Sequence, residues 1–452
     1  MKKSNNKVLI IVGVLLMNVL VLYMIGQTLL GKESPYDIAV REARTYVENE
    51  LYSRAIDKYN EAVILEDSLE LRLEMVDVYE KGMEYGEFTS TYEVFNWLTT
   101  MVDIYRDYPA AYEQACKLLM KYQKYEDCAE LLMQARDLYV TSEKIEEYRE
   151  QIRYQYRKNY ATYQEVLPVF DGVYVVKADD VYTYLGDDTS STHSGAYTYA
   201  SSYSEGYAFV KAFFPDGNER SFLINKDGQR QVYFMDVETS SGVGLARTLE
   251  GEELLLLSCK VGDKYKYYHI NGKEEFGEYD FAGRFRNNVA AVMESEGKWK
   301  LINGTGNPIV DKTFSDVVLN EFDECAPKGL IWAKEGSEYH LYDTLGNQIS
   351  DFACDGAKAF VDEYAAFQKN GVWGYVDATG QILLTPQFDD AKSFSNRMAA
   401  VMIGDGWRLI NPKGEIVVQE SFDDVDYLND KGVCFVKSKD KWSYLEMYYT
   451  GK

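Results

Sequence analysis

Proline is scarce, at 8 of 452 residues, histidine scarcer at 3, and basic residues are outnumbered, 48 Lys+Arg against 73 Asp+Glu. A formal net charge of -25 leaves no basic face for phosphates, which excludes nucleic acid as the expected partner. His193, His269 and His340 lie too far apart to suggest a zinc site from spacing. The cysteines, at 116, 128, 259, 325, 354 and 434, form no C-x-x-C and no regular framework, so a disulfide-stapled scaffold is not expected. Also missing are G-x-S-x-G, H-E-x-x-H, G-x-x-x-x-G-K-[ST] and a dinucleotide fingerprint, so neither an enzyme nor a cofactor is implied. Carboxylates abound, yet no spacing singles out two for acid–base hydrolysis. Asp389-Asp390 and Asp423-Asp424 recur only because a repeat recurs, and read as exposed turn carboxylates.

What is present begins with one long apolar run. After "MKKSNNK" (1–7), residues 8–30, "VLIIVGVLLMNVLVLYMIGQTLL", carry no charge. At about 1.5 Å per residue this run spans the roughly 30 Å bilayer core. It is longer than the apolar part of a signal peptide and has no small-residue cleavage site, so an uncleaved single-pass transmembrane helix is expected. Lys2, Lys3 and Lys7 flank its start. The positive-inside rule then keeps residues 1–7 cytoplasmic and places the rest of the chain outside the cell membrane.

Residues 33–160 show helical periodicity and little strand signal. Tyr46, Tyr52, Ala55, Tyr59 and Ala62 recur in register with a second set that includes Tyr125, Cys128, Leu132 and Ala135. Between them, Tyr79, Tyr85, Phe88, Tyr92 and Phe95 mark a degraded copy, and Pro109 stands where such a repeat ends a helix. The pattern resembles tetratricopeptide repeats, in which small residues let two helices approach and large ones fill the gap to the next pair. The register sets Cys116 and Cys128 over Ala43 and Ala55, so the two thiols are expected in contact. A last helix across "SEKIEEYREQIRYQYRKNY" is expected to cap the stack, with Arg149, Arg153 and Arg157 on one solvated face.

From 165 to 452 a different unit repeats. An Asp or Asn falls at Asn225, Asn271, Asn303, Asp343, Asp377 and Asn411, with Gly186 and Glu446 as degenerate end members, spaced by 39, 46, 32, 40, 34, 34 and 35 residues. Trp299, Tyr339, Trp373, Trp407 and Trp442 stand four residues before five of these positions. In "DATG" and "NPKG", Asp377 and Asn411 take turn position i while Gly380 and Gly414 follow at i+3. The chain here resembles the bacterial WG-repeat family, named for a Trp-Gly pair found at Trp373-Gly374. Each unit reads as three short strands, with the tryptophans packed between repeats and Gly374 easing the stacking of neighbouring sheets.

The ends of the array suggest closure. "EVLPVFDGV" aligns with "LLTPQFDDA", setting Pro168 over Pro386, Phe170 over Phe388 and Asp171 over Asp389. Leu167–Val173 is therefore expected to supply the third strand missing after Trp442 and Tyr444. That makes a β-propeller of about eight three-stranded blades, closed by strand exchange between its termini, with an open spiral of hairpins as the alternative. One stretch breaks the rhythm: "GDDTSSTHSGAYTYASSYSEGY", where Tyr197, Tyr199, Tyr203 and Tyr207 form a candidate partner-binding loop. The expected whole is a multi-domain α plus all-β protein: a membrane-anchored extracytoplasmic scaffold, binding envelope proteins through its helical repeats and propeller. A receptor for cell-wall glycan or polymer through propeller aromatics is the alternative.

Overall fold

The computed structural model describes residue 17, residues 33–88 and residues 90–451. The expected tail (1–7) and transmembrane run (8–30) lie outside the described residues, Met17 apart. Among the described residues no helix is long and apolar enough to cross a membrane. The chain divides into two compact units, Met1–Ile152 and Arg153–Lys452.

Seven helices occupy the described part of the first unit: Pro35–Glu48, Tyr52–Leu65, Leu69–Glu84, Thr91–Ile104, Pro109–Lys121, Tyr125–Asp137 and Glu143–Ile152. The first begins with a capping box, Ser34 Oγ accepting from the Asp37 amide at 3.0 Å, with Pro35 just inside. Pro109 likewise opens a helix rather than closing one, because its missing N–H is an orphan donor anyway at that position. Small residues line the fully buried seams: Ala43, Ala55, Cys116 and Cys128 have no exposed surface. The Cys128 thiol hydrogen-bonds that of Cys116 and, with burial, pushes it well above its ordinary pKa; both are free thiols.

The expected last helix is shorter than its sequence pattern. It stops at Ile152, and Tyr156–Tyr163 is a β-strand of the second unit. Arg157 belongs to that strand, paired with Glu446, rather than to a solvated helix face. The segment "YQYRKNYATY" holds four Tyr and a Thr, residues that favour a pleated surface over a helix once a partner strand is available.

The second unit holds eight antiparallel sheets of three or four strands. Blade 1 is Glu165–Phe170, Val173–Ala178 and Val181–Gly186; blade 2 begins at Tyr199, blade 3 at Thr239, blade 4 at Phe281, blade 5 at Asp316, blade 6 at Gly356, blade 7 at Asp390 and blade 8 at Asp424. Most blades have four strands rather than the expected three, because a short inner strand, of two residues in most blades as at Asp390–Ala391, precedes the long hairpin. The 46-residue spacing is taken up by a nine-residue inner strand in blade 3, Thr239–Arg247.

Alternation builds the interior. Trp373 and Tyr375 face blade 7, packing with Ala399 and Val401, while Val376 faces blade 5 beside Trp332 and Leu341. The glycine of the Trp-Gly pair serves its own blade rather than the neighbouring sheet. A Cβ on Gly374 would sit 2.5 Å from the Leu384 carbonyl oxygen and 2.7 Å from the Pro386 nitrogen, where the outer strand bulges inward.

The ring closes, but through a different strand from the one expected. Tyr156–Tyr163 pairs antiparallel with Lys441–Met447 and completes blade 8, Tyr163 lying opposite Trp442. The equivalent pairs are Phe388 with Trp373 and Phe422 with Trp407. Leu167 instead pairs with Val175 in blade 1, so the alignment of Phe170 with Phe388 is one strand out of register. The alternation of "EVLPVF" fits an inner strand equally well, which is why the pattern alone misassigned it. Across the same seam Asn429 Nδ2 donates to the Asp187 carbonyl at 2.7 Å and Thr189 Oγ1 to Tyr444 Oη at 3.1 Å.

Candidate functional site: the axial cleft of the propeller

In each blade the loops joining first to second and third to fourth strands emerge on one face, because the strands alternate in direction. Several tips of the inner loops are two-residue turns with both φ positive: Asp171-Gly172, Glu205-Gly206, Asn287-Asn288 and Asn396-Arg397. Asx contacts tie neighbouring loops together, Asp362 accepting from the Asn396 amide at 2.7 Å and Asn287 donating to the Ala326 carbonyl at 2.8 Å.

The axis beneath is plugged. Arg284 of blade 4 is wholly buried; its Nε donates to Glu324 Oε1 of blade 5 at 3.1 Å, and its Nη1 to Ser202 Oγ of blade 2 at 2.9 Å. Nη2 lies 3.0 Å from the same Glu324 oxygen without the alignment of a hydrogen bond. The guanidinium stands 4.2 Å from the ring centre of Phe170 in blade 1 and 5.2 Å from that of Phe322 in blade 5. Phe170 and Phe322 meet edge to face at 4.6 Å, so blades 1 and 5 touch across the axis. Burial lowers the Arg284 pKa, with Glu324 opposing the shift. Gly242 approaches this group at φ +106°, and a Cβ there would fall 3.3 Å from Arg284 Nη1.

Above the plug opens a cleft of about 570 Å³, a volume typical of binding pockets, which run roughly 300–1,000 Å³. Phe170, Phe322 and Tyr427 of blade 8 form its floor, and Tyr427 Oη donates to Glu321 Oε1 at 2.9 Å. Burial and then Glu321 push the Tyr427 phenol well above its ordinary range. Asp426, just behind, is buried with its Oδ2 unpartnered; burial pushes its pKa up to about 7 although Lys392 opposes the shift. Seven of the 23 lining residues are Asp or Glu and two are Arg or Lys, a steeper imbalance than 73 to 48 in the whole chain. None of the three histidines or six cysteines lines the cleft. Among the described residues no three His, Cys, Asp or Glu side chains are grouped to hold a metal ion.

The residues singled out from the sequence lie elsewhere. Tyr197 and Tyr203, at 6% and 1% exposure, pack between blades 1 and 2, and Tyr203 Oη donates to the Asn225 carbonyl at 2.8 Å. Tyr199 is half-buried and donates to the Ser240 carbonyl at 2.9 Å, and Tyr207 packs against the core between blades 2 and 3. The candidate loop thus spends its aromatic rings on interior packing rather than displaying them. Trp373 and Trp407 are buried, each under a lysine, Lys358 and Lys392 respectively; Trp299 and Trp442 are half-buried against their blade cores. Asp377 Oδ1 accepts from the Thr379 amide at 2.8 Å and the Gln381 amide at 2.9 Å, with Gly380 at φ +89°. Asn411 does the same for Lys413 and Glu415, with Gly414 at φ +81°. Asp389 and Asp423 accept from the Gly404 and Lys439 amides, stapling hairpin tips.

The cleft left one readable trace in sequence. From its inner strand to the paired residue, blade 5 runs Asp316 to Lys334, against Asp390 to Met402 in blade 7. The extra residues carry Glu321, Phe322 and Glu324 to the axis, shaped by Asn320 Oδ1 accepting from the Phe322 and Glu324 amides.

Fold and site together define an eight-bladed β-propeller with a plugged axis and a loop-lined cleft. Its C-terminal region carries WG repeats: residues 267–299, 341–373, 373–407 and 407–442 match the WG containing repeat family. No curated protein matches the chain. Among solved structures, it is similar to BBS1N crystallised in complex with ARL6DN, at 9% identity and TM-score 0.31, covering 64% of this chain and 92% of that one. It is also similar to the Myceliophteria thermophila Cps50 (Swd1) β-propeller domain, at 9% identity and TM-score 0.35, covering 64% of this chain and 99% of that one.

Proposed function

We propose that this protein is a membrane-anchored, extracytoplasmic interaction scaffold without catalytic activity, whose propeller engages a partner protein at the axial cleft. The observation that carries the reading is the cleft itself: a preformed concavity on rigid blades, floored by aromatics and lined by carboxylates, with no histidine or cysteine in it. The apolar run at 8–30 and the flanking Lys2, Lys3 and Lys7 support the anchor and its orientation. Buried small residues at Ala43, Ala55, Cys116 and Cys128 support a tetratricopeptide-like helical unit as a second protein-binding surface.

A wall-glycan receptor is the weaker alternative. The repeat tryptophans Trp373 and Trp407 lie under lysines, and the edge-to-face Phe170–Phe322 pair offers no flat platform for a sugar ring. A photocrosslinking residue placed at Val361 on the cleft and, as control, at Ile349 on the outer strand of blade 5 tests the scaffold reading in wall-stripped cells. Discrete protein adducts from Val361 alone are expected. Retention of added wall fragments with no protein adduct would favour the receptor instead.

A further inference from the structure

The cleft's charge says what kind of partner surface fits it. Of its acids, Asp171 is paired with Lys226 at 3.0 Å, Asp362 with Lys328 at 3.4 Å, and Glu324 with Arg284. Asp430 of blade 8 is already engaged, while among the described residues Asp187 of blade 1, Glu205 of blade 2 and Glu321 of blade 5 line the cleft without an ion pair. Glu321 already accepts the Tyr427 hydroxyl, which fixes its carboxylate at the axis. The cleft's two cations are committed: Lys328 to Asp362, and Arg286 to the face of Phe170 at 5.4 Å from the ring centre.

We propose that the cleft takes a cationic peptide segment, one whose Lys or Arg side chains enter against Glu321 and are flanked by Asp187 and Glu205. This rests on the scaffold reading and assigns its partner's chemistry. Three carboxylates contributed by different blades surround a partly apolar floor, an arrangement suited to several side chains along a strand or loop. A single metal ion would need ligands within one coordination sphere, and no such group forms among the described residues. The half-buried rings of Phe170, Phe322 and Tyr427 offer apolar contact to the methylene stems of the same side chains.

The test uses the full chain in detergent and a fluorescent, capped tetra-arginine peptide. Saturable, salt-sensitive binding is expected, weakened by roughly tenfold or more in Asp187→Asn/Glu205→Gln/Glu321→Gln. A charge-matched control, Asp263→Asn/Glu296→Gln/Asp405→Asn in exposed turns joining second to third strands, on the face opposite the cleft, should bind as wild type. Single Glu321→Gln keeps an acceptor for Tyr427 and repeats the test if the triple variant does not fold. Equal loss in the control, no binding by wild type, or tighter binding of tetra-glutamate overturns the assignment. Val361 protein adducts that persist in the cleft triple variant also overturn it while leaving the scaffold reading intact. Peptide binding as expected, with no protein adduct at Val361, counts against the scaffold reading alone.

Discussion

Replacing Arg284 with methionine is the sharpest perturbation of the propeller. It removes the only cation that pairs with Glu324 among the described residues, a carboxylate 1% exposed, and leaves that charge buried beside two phenylalanine rings. Breaking a buried ion pair by deleting one partner typically costs about 3–5 kcal/mol. Loss of the contact to Phe170 at 4.2 Å adds to this, up to about 2 kcal/mol for a desolvated cation–π pair. Glu324→Gln alone strands the guanidinium instead, which retains Ser202 as an acceptor, so its cost should be smaller. The double variant Arg284→Met/Glu324→Gln removes both charges and should recover most of the loss, as buried pairs exchanged for neutral groups often do. Denaturant titration followed by tryptophan fluorescence measures all four corners of the cycle, since Trp299, Trp332, Trp373, Trp407 and Trp442 all report on the propeller. Additive single costs, or an Arg284→Met penalty below about 1 kcal/mol, would refute the axial ion pair as the element joining these blades.

Gly374→Ala should lower the propeller's stability by about 1–3 kcal/mol or more, because the new methyl meets backbone atoms of the outer strand that no rotamer can move aside; thermal melts check this. Asp426→Asn tests a pH dependence. Its carboxyl holds its proton in the fold up to about pH 7, whereas in the unfolded chain it ionises near pH 3.9. The stability this proton supports is fully present below about pH 4 and is lost as pH rises through about 7. The asparagine variant escapes that loss, so its melting temperature should gain on wild type steadily from about pH 4 to 7 and then level off. Parallel curves would contradict the burial of this group.

The repeat was legible because its turn chemistry is local. Asp377, Gly380, Asn411 and Gly414 act within four residues of one another, and the structure places them in the turns their spacing describes. Blade count followed from the same spacing. The identity of the closing strand did not, because "YRKNYATY" and "EVLPVF" both alternate and only tertiary pairing distinguishes outer strand from inner. The cleft was less visible still: its acids come from blades 1, 2, 5, 6 and 8, and nothing in the linear order joins Asp187 to Glu321. Tyrosine-rich composition misled in the opposite direction. The rings of Tyr197 and Tyr203 are as well suited to filling a divergent blade as to meeting a partner, and burial at 6% and 1% shows which they do.

The central claim is a ring sealed by its own first strand. Arg157 and Glu446 are paired residues of the seam, 289 positions apart, and the native cysteines of the propeller are all buried. A variant carrying Arg157→Cys and Glu446→Cys, oxidised mildly and mapped after proteolysis, should form a disulfide linking the two ends of the propeller. A second variant with Leu167→Cys and Trp442→Cys should not, since Leu167 pairs with Val175 in blade 1 and packs toward blade 2, whereas Trp442 packs between blades 8 and 1. Crosslinking of the second pair in preference to the first, or of neither, would contradict closure by Tyr156–Tyr163.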